Sequence, residues 1–263
     1  MLLSAFYIYL WVMTGIAVIT FIVLYYVEAG YGMLISSKWG KTMNNKIAWF
    51  LMEFTIFVLM IVMWLSSPHR FEQVPIIFLI IFQTHYLQRV FIFPFLMKGK
   101  SKMPIGIMFM GISFNILNAF MQGYWIFHVA YLPDFPALFV KYGTAWLYSF
   151  PFITGTILFI IGFIINLHSD YIIRHLRKDL YDTKHYFPKG GLFKYVTSAN
   201  YFGELLEWLG FAILTWSVSG LVFFIWTFAN LVPRANAIHK RYRNEFPEEF
   251  DGKKLKRVIP FLY

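Results

Sequence analysis

The sequence predicts an all-α integral membrane protein. It is expected to be a seven-transmembrane helix bundle with the N-terminus outside, the C-terminus cytoplasmic and a polar cavity in the cytoplasmic half. Three observations carry this reading. The 263 residues are 59% hydrophobic and only 14% charged, where a soluble domain carries roughly 25% charge. The apolar residues gather in runs long enough to cross a bilayer. The basic residues fall in the short segments between those runs, where Lys and Arg set topology. The net charge of +10 therefore reads as membrane orientation and not as a nucleic-acid surface. No cysteine is present, which excludes disulfides, thiolate metal sites, iron–sulfur clusters and cysteine nucleophiles.

The elements follow in order. A first helix is predicted over about 4–27; lacking a basic leader and long for a signal sequence, it reads as a retained span. The second, about 47–66, is apolar except for Glu53, and Ser66 to Arg70 is a turn. The third, about 74–97, carries His85, Tyr86, Gln88 and Arg89. After the basic loop Lys98 to Lys102, Pro104 suits the first turn of a fourth helix at about 104–127. That helix places Asn115, Asn118 and Gln122 on one face. The fifth is about 144–167.

The apolar stretch Ser198 to Val232 is 35 residues long, more than the ~20 of one span and fewer than the ~40 of two. Charge decides between them. With the N-terminus outside, the segments 28–46, 98–103, 167–197 and 233–263 hold 20 of the 23 Lys and Arg on the cytoplasmic side. That bias requires the stretch to cross twice. It is read as two short helices, about 198–212 and 215–232, breaking near Gly210 or Ser217–Gly220. The whole of 1–263 forms one polytopic domain, with cofactor-binding cytoplasmic loops at 167–197 and 233–263.

Helical rise converts position into depth. Glu53 and Glu204 lie roughly 10 Å from the cytoplasmic ends of their helices, and Tyr86 and Arg89 roughly 12–16 Å. Asn115 and Asn118 are deeper. Polar groups from five helices thus gather in the cytoplasmic half, the profile of a cavity open to the cytosol. Asn166, Asp170, Arg174 and Arg177 form one polar stripe, and Asn200, Glu204, Glu207 and Trp208 share a second face. Gly190, Gly191 and the aromatics Tyr186, Phe187, Phe193 and Tyr195 lie between them. A basic, aromatic, glycine-bearing segment beside a polar cavity suits a large anionic cofactor. It is neither a Rossmann motif nor a P-loop.

Each feature also has a plain structural counterpart. On that reading Arg174, Arg177 and Lys178 would be positive-inside anchors. Asn115, Asn118 and Gln122 would be interhelical glue, and Tyr86 a packing tyrosine. Glu53 and Glu204 resist that reading best, because unpaired carboxylates are costly in lipid, although a structural pairing with Arg89 would satisfy them. No histidine pattern points to a metal, and His85, His168 and His239 read as hydrogen-bonding residues.

The run Asn166-Leu-His-Ser-Asp-Tyr-Ile-Ile-Arg174, continued by Leu-Arg-Lys178, then Gly190 to Val196, Ala199 to Glu204, Glu207 to Gly210 and Thr215-Trp-Ser217, resembles the steroid 5α-reductases. These are membrane enzymes that reduce the Δ4 bond of 3-oxo steroids with NADPH. Weaker matches are Ala48 to Glu53, His85 to Arg89, Gln122-Gly-Tyr124, Arg234-Ala235, His239 with Tyr242, and Ile259-Pro-Phe261. Together they cover about Ala48 to the end.

The resemblance implies that Tyr86 and Glu53 hold the steroid 3-ketone as the catalytic pair. It implies that Asn118, Asn166, Asp170, Arg177, Asn200, Glu204, Arg234, His239 and Tyr242 bind NADPH, with Arg174 beside them. His185 and Tyr186 stand where the family's cofactor-contacting tyrosine is expected. Met52, Arg89 and Trp208 would line the substrate cavity; Met52 replaces a Gln frequent in animal members. The implied partners are the bilayer and a steroid or related lipid arriving from it, and the chain is expected to be a monomer. The absence of cysteine leans towards a bacterial inner membrane; a eukaryotic member would sit in the endoplasmic reticulum.

The chemistry is consistent with these roles. An enone accepts hydride at its β-carbon when the carbonyl oxygen is stabilised as enolate charge develops. Tyr86 and a Glu53 kept protonated by its apolar neighbours would supply two donors. The rivals are a membrane enoyl-CoA or sterol reductase, an isoprenylcysteine-type methyltransferase using S-adenosylmethionine, and a non-enzymatic lipid carrier.

Overall fold

A computed structural model describes residues 2–132, 142–177, 182, 184–252 and 254–263. Helix α1 (Leu2–Tyr26) contains no charged residue, so nothing opposes its burial in lipid. Helix α2 (Asn45–Leu65) starts at Asn44, whose side chain accepts a hydrogen bond from the Lys46 amide at 2.9 Å. Helix α3 (Gln73–Leu96) changes register at a π-helical turn, Gln88–Ile92. Pro94 follows in the next turn. A proline there has no N–H to donate and would clash with the carbonyl four residues back, and the wider turn accommodates it. Helix α4 (Ile105–Phe127) follows Pro104, which serves as its N-cap.

Helix α5 (Phe150–His175) is capped by Ser149 and carries Pro151 in its first turn. Helix α6 (Ala199–Thr215) stops at Trp216, which adopts a left-handed conformation (φ 46°). Ser217 then caps α7 (Val218–Glu245), accepting from the Gly220 amide at 2.9 Å. A short antiparallel pairing of Thr42–Asn44 with Lys102–Pro104 ties together the segments that precede α2 and α4.

Two predicted boundaries are corrected. The fifth helix was expected over 144–167; residues Thr144–Tyr148 form a 3₁₀ turn instead, and the helix runs on from Phe150 to His175. The last helix was expected to end near 232 but continues to Glu245. The two C-terminal extensions have one reason. Loss of hydropathy marks the edge of the membrane, whereas a helix ends only where its backbone hydrogen bonds do. The break inside 198–232 falls at Trp216–Ser217, at the edge of the predicted Ser217–Gly220 window, and Gly210 lies inside α6.

Among the described residues six helices are long and apolar enough to cross a membrane: α1 to α5 and α7. Helix α6, with 17 residues, is shorter. This is a multi-pass membrane protein. Its main core gathers Phe78, Phe82 and Tyr86 of α3, Trp125 of α4 and Trp208 and Phe211 of α6.

Helices α5 and α6 approach until backbone meets backbone. A Cβ added to Gly155 or Gly162 would lie 2.3 Å from the amide nitrogen of Leu214 or Glu207. One added to Gly203 or Gly210 would lie 2.5 or 2.4 Å from that of Asn166 or Phe159. Four glycines, spaced by seven on each helix, therefore set the distance between the two polar faces read from the sequence.

Candidate active site

Glu53 of α2 is half-buried and stands within electrostatic reach of Arg89, Glu204 and the Asn115 amide. Asn115 donates to the Met52 carbonyl at 2.8 Å, fastening α4 to α2 beside it. Tyr86 is buried on α3, within electrostatic reach of Glu53, Glu204 and Glu207. Its ring packs on Phe82 (centroids 4.8 Å apart) and Trp208 (5.9 Å). Depth alone placed Glu53, Tyr86, Arg89 and Glu204 at a similar level; in the structure Arg89 pairs with Glu204, and Glu53 and Tyr86 lie within electrostatic reach of both.

Arg89 is the cation of this cluster. Nη1 lies 3.2 Å from Asp170 Oδ2 and Nη2 3.5 Å from Glu204 Oε2, while the guanidinium stacks on Phe93 and Trp49. It projects from the π-helical turn, and such turns recur at functional sites. One buried guanidinium between two carboxylates from α5 and α6 removes much of the cost of keeping charge at this depth. Asn166 joins the two helices, donating to the Asn200 carbonyl (3.3 Å) and to Glu204 (3.5 Å).

The remaining predicted residues fall into four further groups, with Asn118 by itself. Thr197 Oγ1 lies 3.2 Å from His239 Nδ1, and the Tyr242 ring meets Phe187 at 5.3 Å, so the loop before α6 docks on the C-terminal end of α7. Arg234 donates to the Tyr201 hydroxyl (2.7 Å) and to the carbonyls of Ala29 and Tyr31, anchoring the segment after α1. Arg177 donates to the Lys98 carbonyl at 2.7 Å and pins the loop between α3 and α4. His185 contacts Arg241 and Glu245, and Tyr186 donates to Asp182 at 2.9 Å. Asn118 sits apart on α4, accepting from Gln122 at 3.4 Å. Lys178 lies outside the described residues.

Two buried donors, one on α5 and one apart from it on α4, are left without a hydrogen-bond partner among the described residues: Arg174 Nη1 and Asn118 Nδ2. Amides, carboxylates and guanidinium groups are thus the polar chemistry that this part of the bundle carries.

Comparison with known proteins identifies the lineage. The sequence pattern of the family described as 3-oxo-5-alpha-steroid 4-dehydrogenase matches residues 101–263. The chain belongs to the 3-oxo-5-alpha-steroid 4-dehydrogenase family. It is 34% identical over 252 residues to steroid 5-alpha-reductase DET2 of Gossypium hirsutum, covering 94% of this chain and 93% of that one. It is 35% identical over 250 residues to the Arabidopsis thaliana protein of the same name, covering 93% and 91%. With 3-oxo-5-alpha-steroid 4-dehydrogenase 1 of Homo sapiens the identity is 38% over 220 residues, covering 83% and 80%. Membership makes the chain an oxidoreductase, and the likeness reaches further towards the N-terminus than the motifs from Ala48 onward.

For this 3-oxo-5-alpha-steroid 4-dehydrogenase family member, sequence reasoning missed two features. One is the set of four packing glycines, whose seven-residue spacing on each side is visible in the sequence once the helices are paired. The other is a buried contact between His85 and Glu207, chain neighbours of Tyr86 and Trp208, whose partnership no spacing rule exposes.

Proposed function

We propose that this chain reduces the Δ4 double bond of 3-oxo-Δ4 steroids to the 5α-3-oxo products with NADPH as cofactor. The observation that carries the reading is that Glu53 and Tyr86, on separate helices, lie within electrostatic reach of each other, with Tyr86 packed on the Trp208 ring. Their neighbourhood offers two acidic hydrogens to one carbonyl oxygen within an apolar wall. The ketone oxygen gains charge as the β-carbon is reduced, and fixed donors aimed at that oxygen stabilise the transition state more than the ground state. Tyr86 donates through its hydroxyl, and Glu53 donates in its acid form. Phe82, Phe211 and Trp208 pack on one another as a buried apolar wall behind Tyr86 and exclude water there.

When bound, NADPH would supply the hydride to C5 of the steroid, and a proton delivered to C4 from Tyr86 or water would complete the reduction. Asn166, Asp170, Asn200 and Glu204 would hold its ribose and amide groups, and the spare donors on Arg174 and Asn118 suit its polar atoms. Arg177, Arg234, His185, Tyr186, His239 and Tyr242 would enclose it from the cytoplasmic side. Helix α6 completes a seven-span topology with the N-terminus outside and the C-terminus in the cytoplasm. The steroid reaches the site from the bilayer, and Met52 lines the substrate side. Purified protein mixed with NADPH and progesterone should oxidise the nucleotide and yield the 5α-reduced steroid. Absence of both, in protein that binds NADPH, would refute the assignment.

A further inference from the structure

One buried pair has no part in the reaction as proposed. His85 Nδ1 and Glu207 Oε1 lie 2.8 Å apart, with side-chain exposures of 5% and 0%. Glu207 Oε2 is buried with no hydrogen-bond partner among the described residues. Replacing a buried polar pair by apolar side chains of similar volume is often neutral or stabilising, so stability does not account for this one.

Its placement suggests what it does. His85 directly precedes Tyr86 on α3, and Glu207 directly precedes Trp208 on α6. The His85 ring meets Trp208 edge-on at 4.7 Å and Tyr86 at 5.0 Å, while Tyr86 and Trp208 lie 5.9 Å apart. One hydrogen bond and three ring contacts thus close a square between the two helices. Just beyond Tyr86, α3 leaves α-helical register for its π-helical turn at Gln88. Tyr86 thus sits two residues before a change of register, where a tie from another helix adds to what its own α-helical backbone fixes. A catalytic hydroxyl displaced by about 1 Å loses on the order of 100-fold in rate, so an interhelical tie one residue away has a direct kinetic consequence.

We propose that the His85–Glu207 hydrogen bond positions the Tyr86 hydroxyl, making His85 and Glu207 positioning residues that act through Tyr86. This rests on the ketone-binding role of Tyr86 given above. The test is a double-mutant cycle on purified protein with NADPH and progesterone, comparing wild type, His85→Phe, Tyr86→Phe and the double variant. Turnover is expressed per folded molecule.

His85→Phe keeps the ring contacts and removes the hydrogen bond. It should lower kcat about tenfold or more while the steroid KM stays within about threefold. In the Tyr86→Phe background the same change should alter kcat by less than about twofold, because no hydroxyl remains to be positioned. Glu207→Gln can bond either imidazole tautomer and should restore most of the turnover lost in Glu207→Met. Equal effects of His85→Phe in both backgrounds would overturn the proposal and leave the role of Tyr86 standing. Near-wild-type turnover by Tyr86→Phe alone would instead remove the reading on which it rests. If His85→Phe fails to fold, His85→Phe/Glu207→Met, which leaves no buried carboxylate unpaired, takes its place in the cycle.

Discussion

Gly162→Ala tests whether the α5–α6 contact sets the geometry of the site. The added Cβ would stand 2.3 Å from the Glu207 amide nitrogen and 2.6 Å from the Gly203 carbonyl oxygen. Both are backbone atoms and cannot swing aside. Ordinary contact begins near 3.4 Å, so the helices must part by about 1 Å, the scale on which misplaced catalytic groups lose roughly 100-fold in rate. Overpacking of this kind also costs about 1–3 kcal/mol of stability. The strain falls where Asn166 reaches Glu204 at 3.5 Å, a contact that would open. We expect Gly162→Ala to lower the Tm in detergent and to cut kcat by about 100-fold. Gly106→Ala is the control: the added Cβ meets nothing within 4 Å, and Tm and kcat should stay near wild type. If Gly162→Ala melted and turned over like Gly106→Ala, the close approach of the two helices would have no bearing on the site.

The other predictions concern topology, cofactor and acid. A reporter fused after Tyr263 should sit in the cytoplasm; a signal from the opposite side would mean that 198–245 crosses once. Wild type should prefer NADPH to NADH, and Arg177→Ala should raise the KM for NADPH more than that for the steroid, since a 2′-phosphate favours charge-assisted contacts. Equal use of the two nucleotides by wild type would count against a basic phosphate site. Glu53→Gln, which keeps a donor, should retain more turnover than Glu53→Ala; equal losses would show that Glu53 does not act by donating a hydrogen bond.

Much of the fold was legible because lipid imposes a simple rule on it. The apolar runs located α1 to α4 closely, since their ends coincide with polar caps such as Asn44 and with the turn after Leu65. The same rule misled at α5 and α7, where polar residues continue the helix beyond the apolar run as far as His175 and Glu245. Gly210 looked like a breaker, yet it lies mid-helix where the Phe159 backbone leaves no room for a side chain. The real break is at Trp216, a non-glycine residue with positive φ, which no turn rule would select. In the site, depth was readable but rotation was not. Rise per residue placed Glu53, Tyr86, Arg89 and Glu204 on one level, whereas the pairing of His85 with Glu207 depends on how α3 and α6 are turned towards each other. The π-helical turn at Gln88 alters that phase by an amount that the α-helical period does not contain.

The most direct test of the central claim is the turnover of Tyr86→Phe with NADPH and progesterone, measured per folded molecule. The substitution removes one hydroxyl and leaves the ring packed against Phe82 and Trp208. Loss of one donor to a developing oxyanion costs about 3–4 kcal/mol, so kcat should fall roughly 100- to 1000-fold while NADPH affinity and Tm stay close to wild type. A folded Tyr86→Phe protein that turns over within about threefold of wild type, a difference of only ~0.6 kcal/mol, would contradict the account.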